Sequence, residues 1–149
     1  KDNNKRDIKQ REAFTKACVD AVELLSGKDA NLLVIGNTES PAFPTELKKY
    51  ANNRVEFGRG LINLNFLVNY DWNWDLKNLE ENKCLRSADI SRVDLIIRWG
   101  GRRRLSGFLP VQSVYADFYV IDDYWPGFKK SHFLDALRWY QDGDTTLGG

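Results

Sequence analysis

Apolar residues recur along this chain with two different periods, and the change from one to the other marks out its elements. Phe14, Ala17, Cys18, Ala21, Val22 and Leu25 fall on one face at helical spacing, with Gly27 behind them as a stop. Leu32, Leu33, Val34 and Ile35 then run without interruption up to Gly36, the pattern of a strand buried on both faces. Residues 37–44 have loop chemistry, and Pro44 pre-sets the first turn of a short helix over 46–50. From 61 to 68 the period is two. Ile62, Leu64, Phe66 and Val68 alternate with Asn63, Asn65, Leu67 and Asn69, so one face is apolar and the other mostly amide. Residues 71–83 read as a helix, 93–97 as a third strand apolar except for Asp94, 110–115 as a helical turn or two, and 118–121 as a fourth strand. Phe133, Ala136, Leu137 and Tyr140 give a last amphipathic helix, with Ser131 as its predicted N-cap. Residues 1–7 are polar and expected to fray.

Strands separated by helical stretches imply parallel crossovers, hence an α/β domain: a parallel sheet flanked by helices, spanning 1–149 as one unit. A chain of 149 residues buries roughly 70% of its unfolded surface and needs neither disulfide nor metal to hold a core. The balance of 22 basic against 21 acidic residues leaves +1, too little for a global field toward nucleic acid or anionic lipid. Cys18 and Cys84 are too few for a disulfide framework, so a reducing, cytoplasmic setting is expected. No apolar run approaches the ~20 residues of a membrane span, which limits membrane contact to the periphery. The chain opens on Lys1 and contains no Met, from which we expect a sequence trimmed or incomplete at its start.

Candidate chemistry concentrates in Arg98-Trp99-Gly100-Gly101-Arg102-Arg103-Arg104-Leu105-Ser106-Gly107, directly after a predicted buried strand. Ligands of open α/β sheets bind at the carboxyl ends of strands. Gly100 and Gly101 tolerate positive φ and can turn backbone N–H groups toward an anion. Arg98 and Arg104 supply planar forks matched to phosphate oxygens, and Ser106 adds a hydroxyl. The stretch reads as a phosphate or diphosphate cradle, with a solvated basic loop as the alternative.

From Val93 through Gly101, then Arg104-Leu105-Ser106, Phe108-Leu109, Gln112 and Tyr115-Ala116-Asp117, the sequence resembles the carboxyl-terminal signature of cis-prenyltransferases, of which the undecaprenyl diphosphate synthases are best known. The likeness continues in Trp125-Pro126-Gly127-Phe128, Phe133-Leu134 and Gly148-Gly149. Upstream, Val34-Ile35-Gly36, Leu64-Asn65-Phe66, Asn69-Tyr70 and Trp74-Asp75 resemble the family's middle segment, so the resemblance covers about residues 31–149. It implies an undecaprenyl diphosphate synthase-like fold lacking its N-terminal strands, and a prenyltransferase that condenses isopentenyl diphosphate with an allylic prenyl diphosphate. It also implies that Arg98, Arg104 and Ser106 hold the diphosphate of isopentenyl diphosphate, and that Asp117 helps to hold Mg²⁺. No residue is assigned to the chemical step itself.

Departures from the family pattern are specific. The Asp-Gly-Asn-Gly-Arg-Trp loop that opens the family's active site has no counterpart here. Arg102 stands where a Glu is usual, Asp71-Trp72 where Gly-Gly is usual, and Thr145-Thr146 where a basic residue is usual. The tract between Asp75 and Asp94 is also shorter. These departures imply an enzyme that needs upstream residues or a partner. The alternative is a non-catalytic subunit of a heteromeric prenyltransferase, of the Nogo-B receptor type. The partner is accordingly a second copy, in a homodimer, or a full-length prenyltransferase, in a heteromer. A nucleic-acid module resting on Arg102-Arg103-Arg104 is disfavoured by the near-zero net charge and by Asp117, Asp122 and Asp123. His132, the only histidine, is expected at the surface, and with two distant cysteines it offers no zinc site. Trp72, Trp74, Trp99 and Trp125 are expected to pack, and Cys18 to join the core.

Overall fold

The computed structural model describes residues 8–25 and 28–143; the predicted stop at Gly27, the frayed start over 1–7 and Thr145 to Gly149 lie outside the described residues. Two compact units follow one another along the chain, Lys1–Asp89 and Ile90–Gly149.

In the first unit α1 (Ile8–Leu25) leads into β1 (Ala30–Ile35), whose last four residues are each at most 2% exposed, as the unbroken apolar run requires. A short 3-10 helix over Thr45–Tyr50 starts after Pro44. The chain then pairs with β1 on both sides. On one side β3 (Ile62–Leu67) runs parallel, with Leu32 opposite Leu64 and Val34 opposite Phe66. On the other, β2 (Val55–Phe57) runs antiparallel, Ala30 opposite Phe57 and Leu32 opposite Val55. The all-parallel expectation therefore needs correction at β2. Only three residues long, this strand shows no readable alternation, yet it satisfies edge amides that β1 would otherwise leave open. Its turn is held by Asp29, which accepts from the Arg59 amide at 3.0 Å and from its guanidinium at 2.9 Å. These contacts, the backbone one first, hold the Asp29 carboxyl below its usual range.

Val22, Leu32, Val34, Phe43, Leu47, Tyr50 and Val68 form the core of this unit, with Cys18 and Val19 of α1 and Leu64 and Phe66 of β3 packed around it. Cys18 is thus partly buried, and burial pushes its thiol up. The amide face of β3 is used as well. Asn31 donates to Asn63 at 2.9 Å, and Arg54 donates to Asn65 at 2.9 Å while pairing with Asp89 at 2.7 Å. After β3, α2 (Trp72–Asn82) begins on Asp71, whose carboxylate accepts from the Asn73 amide at 2.8 Å. It ends on Lys83 at φ 61°. A left-handed cap suits glycine. Lys83→Gly is expected to raise stability by about 0.5–1 kcal/mol, measured by urea unfolding.

The second unit holds β4 (Leu95–Trp99), β5 (Asp117–Ile121) and α3 (Lys130–Asp142). The strands pair in parallel, Leu95 opposite Asp117 and Arg98 opposite Val120. The third strand thus starts two residues later than its apolar pattern suggests, because Val93 is tied by its amide to the Gln112 carbonyl at 2.8 Å. Residues 110–115 form turns around one helical bond, Ser113 N–H to the Leu109 carbonyl at 2.9 Å. Helix α3 begins one residue earlier than the predicted cap: Lys129 is the N-cap, and Ser131 lies inside the first turn. Of its apolar face, Ala136 is fully buried while Phe133, Leu134 and Leu137 remain 37–45% exposed. Among the described residues no helix is long and apolar enough to cross a membrane.

Candidate functional site

Strand β4 carries Arg98 at its fourth position and breaks at Gly100-Gly101, whose φ angles of 90° and 65° lie where side chains are strained. These two amides were the expected anion donors. The structure spends them elsewhere: Gly100 donates to the Asp123 carbonyl at 2.9 Å and Gly101 to the Ile121 carbonyl at 3.0 Å. Carbonyls at the end of β5 need partners, and the turn supplies them. The glycines shape the loop without facing a ligand.

Beyond this turn Ser106, Gly107 and Leu109 all adopt positive φ, and the chain doubles back. Leu109, 2% exposed, anchors it. The reversal brings the Ser106 hydroxyl to 3.4 and 3.5 Å from the two terminal nitrogens of Arg98. Nη1 of Arg98 also donates to the main-chain carbonyl of Arg104. Two of the three predicted cradle side chains, Arg98 and Ser106, are therefore joined, and Arg104 is joined to them through its backbone. A guanidinium fixed by one N–H keeps its remaining donors for a ligand.

The side chains of Arg102, Arg103 and Arg104 are exposed, and none makes a hydrogen bond or ion pair among the described residues. Arg103 and Arg104 border a cleft of about 500 Å³ walled by Phe118, Tyr119 and Val120 of β5 and Trp139 of α3. Cations at the edge of an aromatic wall suit a ligand with an anionic head and an apolar body.

Asp117 lies apart. It opens β5 opposite Leu95, three register positions from the pair of Arg98 and Val120, or roughly 10 Å along the strands. No group of three His, Cys, Asp or Glu side chains that could hold a metal gathers among the described residues. Mg²⁺ asks for an octahedral oxygen set. Asp117 offers one exposed carboxylate of such a set.

The expected surface role of His132 is also corrected. Its side chain is 15% exposed, accepts from the Trp99 indole at 3.2 Å and meets Asp123 at 3.4 Å. Trp99 stacks edge-on against Trp125 at 4.8 Å and tilts against Phe128 at 5.7 Å. The packing expected of Trp99 is seen here, whereas Trp125, although it meets Trp99 edge-on, is 63% exposed and Trp72 is 43% exposed. The only sequence signal for His132 was its place one turn beyond Trp125-Pro126-Gly127-Phe128.

Comparison with known proteins supports the resemblance and extends it. The prenyltransferase family described as undecaprenyl diphosphate synthase matches residues 1–148, reaching upstream of residue 31. An isoprenyl transferase from Leptospira interrogans is 43% identical over 74 residues, 50% of this chain and 31% of that protein. A ditrans,polycis-undecaprenyl-diphosphate synthase specific for (2E,6E)-farnesyl diphosphate, from Aliivibrio fischeri, is 29% identical over 161 aligned positions, covering 92% of this chain and 62% of that one. This chain thus spans less than two thirds of the length of these curated relatives. Among solved structures, a probable undecaprenyl diphosphate synthase from Campylobacter jejuni superposes with a TM-score of 0.71 at 20% identity, over 99% of this chain and 79% of that one. Lavandulyl diphosphate synthase from Lavandula x intermedia, solved with dimethylallyl diphosphate, gives 0.70 at 20% identity over 97% and 73%. These two establish the fold, and the family match establishes kinship: the chain belongs to the undecaprenyl diphosphate synthase family of prenyltransferases.

Proposed function

We propose that this chain binds the diphosphate of isopentenyl diphosphate at the end of β4 and serves its condensation with an allylic prenyl diphosphate. The observation that carries the reading is the convergence of Arg98 and Ser106, joined through the Arg104 carbonyl, beside an Arg104 guanidinium that has no partner among the described residues. Guanidinium forks and a hydroxyl donate to diphosphate oxygens and hold the isopentenyl unit in place while its double bond attacks the allylic carbon. They act as binding and orienting groups. The residue that takes the departing proton is not among them.

The lone position of Asp117 and the extra cation at Arg102 favour a second reading, in which this chain binds ligand or partner as a non-catalytic subunit of a heteromer. Both readings share the cradle, and calorimetry with isopentenyl diphosphate tests it, with and without added Mg²⁺ so that the guanidinium contribution stands alone. Removing one charged hydrogen bond costs about 1.5–3 kcal/mol. Arg104→Ala and Arg98→Ala should therefore each weaken binding at least roughly tenfold. Equal affinities for variant and parent would sink the assignment. Turnover by the purified chain alone would eliminate the subunit reading, whereas activity only after mixing with a full-length prenyltransferase would support it.

A further inference from the structure

We propose that His132 is a positioning residue for the diphosphate-binding turn: its neutral imidazole locks Trp99, and with it the strand end that carries Arg98 and Gly100.

The lock rests on three contacts around one ring. Nδ1 of His132 accepts from the Trp99 indole N–H at 3.2 Å and from the Lys129 amide at 3.4 Å. Nε2 faces the Asp123 carboxylate at 3.4 Å. Two donors aimed at Nδ1 fix the tautomer, because only an unprotonated nitrogen accepts. The proton sits on Nε2 and points to Asp123. The same residue 123 accepts the Gly100 amide through its carbonyl. Trp99 and Gly100 are thus tied at adjacent positions, one by side chain to α3 and one by backbone to the end of β5. Arg98 precedes them directly.

A proton added to Nδ1 would meet two N–H groups head-on. It would also place a cation in the first turn of α3, where the helix end already carries partial positive charge. Charged side chains on the surrounding elements are Asp122 and Asp123 after β5, Lys129, Lys130 and Asp135 at the start of α3, and Arg98 on β4. Of these, Asp123 alone makes an ion-pair contact with His132 among the described residues, and Asp135 is engaged with Arg138. Asp123 meets only Nε2, is partly screened at 58% exposure and offers nothing to Nδ1. Acidification therefore breaks the Trp99 bond and loosens the strand end.

The effect on ligand rests on the diphosphate reading above, while the lock itself is tested without ligand. Nitrogen-15 spectra resolve the indole N–H signals of the five tryptophans, and Trp99→Phe assigns one of them. On acidification from about pH 8 to about pH 5, across the ordinary imidazole range, the Trp99 signal should move toward the position of a free indole N–H, as the bond to Nδ1 is lost. In His132→Asn it should stay constant, since an amide oxygen replaces Nδ1 as acceptor and does not titrate. In His132→Phe it should lie at the unbonded position at every pH. Calorimetry then follows isopentenyl diphosphate in parent and His132→Asn across the same range. The parent should lose about fivefold more affinity on acidification than the variant, the worth of one neutral hydrogen bond. Comparing the two cancels protonation of the diphosphate itself. A Trp99 signal indifferent to pH and to His132→Phe overturns the lock. Equal acid losses in parent and His132→Asn overturn the positioning role. Absence of binding by the parent at both pH values overturns the diphosphate reading instead, and the spectra still decide the lock.

Discussion

Alanine in place of Gly36 is expected to cost at least about 3 kcal/mol and to lower the melting temperature by roughly 10 °C. Gly36 directly follows β1, and a Cβ there would stand 1.6 Å from the Val68 carbonyl oxygen and 2.8 Å from its carbon. The obstacle is backbone, so no side-chain rotation relieves it. That same stretch of backbone is bonded in place, with Val68 N–H donating to the Ile35 carbonyl at 3.0 Å and Asn37 N–H to the Asn69 carbonyl at 3.4 Å. Making room means parting β1 from β3 just where both enter their loops, beside the buried side chains of Val34 and Val68. Gly127→Ala supplies the contrast, since nothing lies within 4 Å of a Cβ added there. Thermal unfolding of the two variants beside the parent checks the claim. A Gly36→Ala melting point within a degree or two of the parent's would show that the chains at this crossing are not closely packed.

Asp75→Ala is expected to be nearly as damaging, at about 3–5 kcal/mol. Asp75 is 3% exposed in the first turn of α2 and accepts three bonds: from the Ser87 amide at 2.9 Å, the Ser87 hydroxyl at 2.5 Å and the Tyr70 hydroxyl at 2.8 Å. Ser87 is itself fully buried. Truncation removes the acceptor these donors share at a buried position, so the desolvation of the buried Ser87 groups is less well compensated. The carboxylate also fastens the segment after α2 to the helix start, twelve residues back along the chain. Tyr70 feels the same environment, and burial first, then the Asp75 carboxylate, hold its hydroxyl firmly protonated. Asp75→Asn should cost less, because its amide oxygen still accepts one or two of the bonds. Chemical denaturation should rank parent, Asn and Ala in that order. An Ala variant as stable as the Asn variant would mean that shape, not the acceptor, matters at this site.

Much of the site was legible because its signals are local. Gly100-Gly101 allowed a left-handed turn, and the structure turns there with both φ angles positive. Arg98 and Ser106 lie eight residues apart, close enough for the doubling-back of one loop to join them. The use made of the glycine amides was not legible, because the competing acceptors belong to the end of β5, some twenty residues on. His132 was misread for the same reason. Its partner Trp99 is 33 residues away, and only the parallel pairing of β4 with β5 and the packing of α3 bring the two rings together.

By itself, the sequence determined which stretches form elements and what some of them bury: the unbroken run of β1, the alternation of β3, the helix after Asp71 and the arginine-rich loop after β4. Those features are set by period, propensity and capping, each acting over a few residues. Tertiary structure alone decided that β2 closes one edge of β1, that Asp117 stands at the opposite end of its strand pair from Arg98, and that Trp99 hangs on His132. Strand pairing, register and side-chain partnership are settled by which distant surfaces bury one another and whose hydrogen-bonding groups are left to satisfy, and no short window of residues contains both sides of that exchange.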